Sequence, residues 1–157
     1  MSYSQVISLD AAKTYLRIDS TDSDSEILRM VKSALSLLEK RTNVMVYDRE
    51  VTYNLNSGNC VRVYDHPINT VGVTGLAPTV TRTDYPTYSV FVDSNTDNST
   101  IVLDVGYVDS GNMAPELLEA AYEMIDYWFY KNDGKANITL VPESVMHVIG
   151  SNQRFII

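Results

Sequence analysis

The sequence is poor in residues on which many enzymes and metal-binding proteins depend. Cys60 is the only cysteine among the 157 residues, so the chain cannot form an internal disulfide. His66 and His147 are the only histidines, and no metal-ligand spacing such as Cys-x-x-Cys is present, so an adequate set of zinc ligands is lacking. A Cys60–His66 nucleophile pair is conceivable, but nothing in the sequence supports it. We therefore expect neither a metal ion nor a cofactor.

Basic residues are also scarce. The chain has 12 Lys and Arg residues against 20 Asp and Glu residues, which gives a net charge of −8 at pH 7. Residues 1–44 are neutral overall, whereas residues 45–112 carry a net charge of −5 and residues 113–157 a net charge of −3. A surface that holds nucleic-acid phosphates needs clustered Lys and Arg, and the sequence shows no such cluster. We expect any DNA to pass this protein without specific binding.

Long apolar runs and common catalytic motifs are missing as well. No apolar stretch reaches the roughly 18 residues of a membrane span, and the N-terminus has no basic patch followed by an apolar stretch. Glycine-rich phosphate loops and the Gly-x-Ser-x-Gly nucleophile motif are absent. With 45% hydrophobic and 20% charged residues, the composition is that of a globular protein large enough to bury a core.

Helical periodicity marks the N-terminal part of the chain. Ser8 can cap a helix from Leu9 to about Arg17. Ser23 and Glu26 have the spacing of a capping box, which predicts the start of a second helix. The apolar stripe of this second helix, which should end near Arg41, consists of Ile27, Leu28, Val31, Ala34, Leu35 and Leu38.

The C-terminal part shows a third helix and a less regular ending. Pro115 suits the first turn of a helix that extends to about residue 131. Its apolar face comprises Leu117, Leu118, Ala121, Met124, Ile125, Trp128 and Phe129. Pro142 then begins a segment from Glu143 to Ile149 that is too short to form a stable helix by itself. This segment and the tail after Gly150 either pack on their own domain or await a partner.

Between the helices, β-branched and aromatic residues alternate with polar ones, which predicts strands with one buried face. The strands are expected around residues 51–55, 61–63, 71–73, 88–92 and 101–107. The last two should form a hairpin around the turn-forming linker 94–98. The predicted fold is α+β.

The predicted architecture is a small α-helical bundle with an inserted antiparallel β region at about residues 45–108 and a C-terminal tail. We expect one domain over residues 1–157. Within it, residues 1–44 and 113–141 are helical, residues 45–112 form the β insert, and residues 142–157 bind a partner.

Two short motifs leave other functions open. Residues 108–111 contain the Asp-Ser-Gly core of aspartic proteases, but that chemistry needs a second carboxylate beside Asp109, and the segment runs into a helix. The stretch from Asp93 through Asp97 imitates a calcium loop, but its sixth position is Asn98 rather than Gly, and strands flank it. A polar loop and a hairpin turn explain these segments better than a hydrolase or a calcium-binding module.

Two features of the C-terminal third invite a partner. Four carboxylates of the third helix lie three or four residues apart and so form one row: Glu116, Glu119, Glu123 and Asp126. The row is either a solvated face, or it faces a basic neighbour or lines an acidic channel. The chain also ends in three large apolar residues, Phe155, Ile156 and Ile157.

The order of these segments resembles a known family. Val6–Lys13 and Tyr15–Asp19, followed by an Asp- and Ser-rich break and an amphipathic helix ending in Leu38–Thr42, resemble the start of the head–tail connector (adaptor, head-completion) proteins of long-tailed bacteriophages.

The resemblance continues in the second half of the chain. It includes Gly106–Tyr107, the helix from Pro115 and the closing segment from Pro142 to Arg154. It covers about residues 6–44 and 101–154, and the insert between them looks like the β-rich variants of the family.

The resemblance implies a non-enzymatic virion subunit, assembled in the bacterial cytoplasm, in a ring of about twelve copies at the head–tail interface. Such a ring sits beneath the portal protein, receives a stopper or tail-completion protein on its other side, and lets DNA pass through its lumen. An acidic wall suits DNA passage because like charges repel. The four carboxylates of the third helix would face the lumen or a neighbouring subunit. The residues expected to engage the portal are Val145, Val148, Ile149, Arg154, Phe155, Ile156 and Ile157. Another phage tail or capsid accessory protein remains the alternative.

Overall fold

In this computed structural model the chain divides into two compact units, each described here by itself. The helical unit is formed by the described residues up to Tyr47 and from Tyr107 onward, and the β unit by those from Asp48 to Gly106. The structure describes residues 6–55, 60–62, 67–74, 79–83, 89–93, 99–107, 111–131 and 140–153. The predicted α+β class is confirmed.

The helices of the helical unit are α1 (Leu9–Leu16), α2 (Asp24–Thr42), α3 (Pro115–Tyr130) and α4 (Glu143–Asn152). Helix α1 begins as predicted, because the Ser8 hydroxyl accepts a hydrogen bond from the Ala11 amide at 3.1 Å. Helix α2 also begins where the capping-box spacing predicts. However, Ser23 has φ −103° and ψ 6° rather than the extended conformation of a capping residue, and its hydroxyl caps no backbone amide of the helix. The start of α2 is therefore correct, although the expected side-chain cap is missing.

The apolar faces of the four helices meet in one core. Most of the predicted stripes are buried, although Leu28 of α2 is only half-buried and Met30 is buried instead. In α3, Leu118 and Phe129 are partly buried, while Ala120 joins the buried face. The largest fully buried side chains of this unit are Trp128, Ile7, Leu16, Ile27, Met30, Leu35, Leu38, Leu117 and Met124.

The β unit contains two three-stranded antiparallel sheets among its described residues. One has the order β1 (Arg49–Leu55), β6 (Ser99–Val105), β3 (Ile68–Thr74). The other has the order β2 (Cys60–Arg62), β5 (Ser89–Asp93), β4 (Thr79–Thr83). The alternation predicted for β6 is present, since Ile101, Leu103 and Val105 are buried and the residues between them are half-exposed.

The predicted hairpin between the last two strands is wrong. Strand β6 pairs with β1 and β3, whereas β5 pairs with β2 and β4, so the two strands belong to different sheets. Strand β4 was not expected at all, because Val80 is its only large apolar residue. Alternation identifies a strand, but the partner of that strand depends on contacts distant in sequence.

Gly106 ends β6 in a conformation that few other residues adopt. Its φ is 102°, which favours glycine strongly. Its amide donates to the Pro67 carbonyl at 2.8 Å, and its own carbonyl accepts from Asn69 Nδ2 at 2.8 Å. Gly106, which belongs to the Gly106–Tyr107 element of the resemblance, therefore ends strand β6 at a turn that two hydrogen bonds hold in place.

Candidate assembly surfaces of the helical unit

Helix α4, in which three of the predicted portal-binding residues lie, is packed against the helical unit. Val145 is 0% exposed and Ile149 is 4% exposed, and Val148 packs against the same core. The indole N–H of Trp128 donates to the Leu140 carbonyl at 2.7 Å, which fixes the approach to α4. Helix α4 contacts both α2 and α3. Because tertiary packing supplies the stability that a short helix lacks, this segment is longer and better fixed than its sequence predicts.

Of the seven predicted portal-binding residues, three lie on α4 and pack on the core, with Val148 only partly buried. Val145 and Ile149 are buried in the core, so a partner could reach them only if α4 left its place. Arg154, Phe155, Ile156 and Ile157 lie outside the described residues. The outer side of α4 carries Met146, which is 45% exposed, and His147, also exposed.

All four predicted carboxylates lie on the side of α3 that faces away from the core. Glu116 and Glu119 are exposed, while Glu123 and Asp126 are half-buried. We call this surface the α3 acidic face. Two of its members are held in place, since Glu123 accepts a hydrogen bond from the Ser144 hydroxyl of α4 and Glu119 accepts one at 3.3 Å from the Tyr15 hydroxyl of α1.

Tyrosines border the α3 acidic face, and sequence reasoning did not identify them. The rings of Tyr15 and Tyr122 stack with centroids 4.7 Å apart and planes 17° from parallel. Burial raises the pKa of Tyr15, and Glu119 raises it further through its charge and its hydrogen bond; Asp126 and Glu123 add to the effect. Burial, followed by the charge of Glu119, also raises the pKa of Tyr122. The sequence contained one signal for the exposure of Tyr15. Tyr15 directly precedes Leu16, which is buried, so the two side chains lie on different sides of α1.

Beside this stack lies an open depression of about 670 Å³. Its lining includes Tyr15, Arg17, Asp126 and Tyr130. Tyr15 and Tyr130 are 40% and 57% exposed. The Tyr130 hydroxyl donates to the Leu16 carbonyl at 2.5 Å, which holds its ring at the surface. The surface therefore combines exposed aromatic rings with carboxylates.

A second charged surface lies on α2. Arg29, Lys32 and Lys40 are exposed on the side of this helix that faces away from the core. We call them, with the intervening Ser33 and Ser36, the α2 basic face. A shallow depression of about 540 Å³ lies along it, lined by Lys32, Ser33, Ser36, Leu37 and Lys40.

Ion pairs contribute little to holding the α2 basic face in one conformation. Arg29 Nη2 lies 3.7 Å from Glu26 Oε1, and both side chains are nearly half exposed, so the pair is weak. Neither Lys32 nor Lys40 forms an ion pair with another of the described residues. Their charges are available to a partner.

The alternative chemical sites receive no support from the described part of the chain. No group of three or more His, Cys, Asp or Glu side chains in that part could hold a metal ion. Asp109 and Asp97, proposed for a hydrolase and a calcium loop, lie outside the described residues, as do His66 and the side chains of Cys60 and Asp93. Among the described helices, none has the length and apolar character needed to cross a membrane.

Comparison with known proteins identifies the fold. The sequence matches no protein-family model, and no curated protein matches it. The chain is similar to one from the virion of a native gene transfer agent (GTA) particle, with a TM-score of 0.72 and 16% identity over 100% of this chain and 94% of that one. It is also similar to a chain from the neck of an empty GTA particle computed with C6 symmetry, with a TM-score of 0.72 and 17% identity over 97% of this chain and 91% of that one.

A third similar chain comes from the neck of a native GTA particle computed with C12 symmetry. Its TM-score is 0.65 and its identity is 16%, over 96% of this chain and 93% of that one. The matches extend over nearly the full length of both chains. The chain therefore shares its fold with chains of the GTA virion and neck, in agreement with the resemblance to head–tail connector proteins.

Proposed function

We propose that this protein is a structural adaptor subunit of a phage-type head–tail connector. It would form a ring of about twelve copies that docks on the portal protein and joins it to a stopper or tail-completion protein, with DNA passing through the lumen. The subunit would be a virion component without enzymatic activity. The observation that carries this proposal is the near-complete overlap of its fold with chains of GTA necks.

The charge distribution and the ring symmetry of the similar structures add support. The GTA neck structures were computed with C6 and C12 symmetry, which suits a subunit present in several copies. A net charge of −8 keeps DNA from adhering to the protein during passage. The described residues offer side chains that bind surfaces, namely tyrosines, carboxylates and lysines, rather than a nucleophile with its base.

The packing of α4 supports a division of roles within the predicted portal-binding segment. Val145 and Ile149 fasten α4 to the helical unit. Met146 and His147 are exposed on its outer side and would contribute to the portal contact, for which Arg154, Phe155, Ile156 and Ile157 stay predicted. Helix α4 is fixed by the core and ends at Asn152, shortly before Arg154.

Native mass spectrometry of the full chain mixed with the portal protein of the same particle tests the proposal. We expect complexes containing one portal ring and several copies of this chain. A variant that ends at Gln153 keeps all of α4 and should fold normally, but it should lose portal docking. The substitution Met146→Ala in the full chain should weaken docking by a smaller factor.

The control for portal docking is Asp22→Lys, because Asp22 is exposed and belongs to the segment before α2 rather than to α4. A wild-type chain that stays monomeric in the presence of the portal would contradict the proposed function. Undiminished docking by the shortened chain would contradict only the assignment of residues 154–157 to the portal contact.

A further inference from the structure

We propose that, in the ring of the proposed function, the α2 basic face of one subunit binds the α3 acidic face of the next copy of this chain. The contact joins Arg29, Lys32 and Lys40 of one copy to the carboxylates and exposed tyrosines of its neighbour. It deepens the proposed function by naming the two surfaces that close the ring.

The first argument is the placement of the two faces on one unit. Helices α2 and α3 pack against each other, and both bury their apolar sides in the same core. Their charged sides therefore both lie on the surface, away from that core. Among the described residues no ion pair joins the two faces within one copy, so their charges are available for pairing between copies.

The second argument is symmetry. A contact between two different surfaces of identical subunits is heterologous, and it generates a ring when the rotation between subunits closes. A chain with one positive face and one negative face on different helices has the polarity that such a contact needs. A symmetric dimer would have to bring both pairs of faces together at once, whereas a single pairing of one basic face with one acidic face leaves one face of each kind free for the next copy.

The third argument is the composition of the surfaces. Next to Asp126, the depression lined by Tyr15 and Tyr130 offers aromatic faces as well as negative charge, and Lys or Arg binds both. Exposed tyrosines are common anchors of protein interfaces. On the opposite surface, the small side chains of Ser33 and Ser36 leave room between Lys32 and Lys40 for a neighbour's side chain.

A polynucleotide is a poorer occupant of the α2 basic face. The face contains three cations, Glu26 and Glu39 lie on the same helix, and the whole chain carries a charge of −8. Phosphate binding of useful strength requires more cations than this, because each contact contributes separately and is weakened by salt. The α3 acidic face supplies the complementary charge on the same protein.

Charge reversal with matched controls tests the contact. Lys40→Glu lies on the α2 basic face, whereas Arg41→Glu makes the same charge change about 100° around the helix. Asp126→Lys changes the α3 acidic face, whereas Asp22→Lys makes the same charge change at an exposed residue that is not part of that face. We expect each reversal on a face to weaken subunit association about tenfold or more, and each control to change it less than about twofold. The strength of subunit association is measured by sedimentation of the full chain and by the number of copies bound to the portal.

A charge-swapped chain provides the stronger result. It combines Arg29→Glu, Lys32→Glu and Lys40→Glu with Glu116→Lys, Glu119→Lys and Asp126→Lys, which leaves the net charge at −8, keeps Glu123 and reverses the sign of both faces. We expect this chain to associate with itself again and to be excluded from wild-type rings. Its unfolding, followed by circular dichroism, confirms that it is folded.

Several outcomes would overturn the inference while leaving the proposed function intact. One such outcome is that the control reversals weaken the rings on the portal as much as the reversals on the two faces do. Another is that the charge-swapped chain mixes freely with wild type. A Lys40→Glu variant that changes only the binding of a duplex DNA probe would assign the α2 basic face to DNA instead. Failure of the wild-type chain to form any ring on the portal would contradict the proposed function itself.

Discussion

The burial of α4 leads to a prediction that distinguishes its packing role from a role as a free docking element. Ile149→Ala removes three carbon atoms from a side chain that is almost completely buried. At about 0.8 kcal/mol for each buried methylene, the lost transfer free energy is about 2.4 kcal/mol. The cavity that remains adds to this, so we expect the free energy of unfolding to fall by about 3 kcal/mol. Domains of this kind are stable by about 5–15 kcal/mol, so the variant should still fold.

The fluorescence of Trp128 gives an assay specific to the helical unit. Trp128 is the only tryptophan of the chain, and its ring is buried in α3. Its emission during a urea titration therefore follows the unfolding of this unit rather than that of the β unit. The matched control is Met146→Ala in the same helix, for which we expect a loss below about 0.5 kcal/mol because the side chain is exposed.

The opposite result would refute the packing of α4. If Ile149→Ala left the urea midpoint unchanged but reduced docking on the portal, Ile149 would belong to the docking surface, as the sequence suggested. If it lowers the midpoint as expected, any loss of docking follows from the instability of α4.

Three further predictions concern the contacts around this core. Trp128→Phe removes the hydrogen bond to the Leu140 carbonyl and should cost about 1–2 kcal/mol, measured by circular dichroism during denaturation. The Lys13–Asp24 ion pair, at 2.8 Å and partly buried, joins α1 to α2. A double-mutant cycle with Lys13→Met and Asp24→Asn should give a coupling free energy of about 1 kcal/mol, and a value near zero would show that the pair does not stabilise the fold. The pKa of Tyr15 is raised by burial and then by the α3 carboxylates, so the folded state resists ionisation of this hydroxyl. The stabilising effect is complete below pH 10 and is lost as the pH rises through the folded pKa, so wild-type stability should fall relative to Tyr15→Phe above pH 10; a difference independent of pH would contradict this.

The helical unit could be predicted from the sequence because its signals are local. Ser8 marks the start of α1, and Pro115 marks the start of α3, where a missing amide hydrogen is harmless. The apolar period of α2 places most of the core correctly. The predicted side-chain cap of Ser23 is missing, because the spacing of Ser23 and Glu26 does not determine the backbone conformation of Ser23.

The β unit could be predicted only as a set of strands. The alternation around Val51 and Leu103 correctly identifies β1 and β6, but it contains no information that these two strands pair with each other. The short linker between β5 and β6 suggested a hairpin. Strand β6 pairs with β1 and β3 instead, so it belongs to a different sheet from β5. Such pairings join residues far apart in sequence, which local patterns do not specify.

The candidate surfaces were only partly predictable for a similar reason. The spacing of the four carboxylates placed them on one face of α3, as the structure does. The stack of Tyr15 on Tyr122 joins two helices more than 100 residues apart, so no window of sequence could reveal it. Burial of Val145 and Ile149 likewise depends on how α4 meets the other helices.

An electron cryomicroscopy map of the virion that contains this protein tests the central claim most directly. The account predicts a ring of copies between the portal and the tail, with the α2 basic face of each copy against the α3 acidic face of the next. A location on the capsid surface or along the tail tube would contradict the connector function.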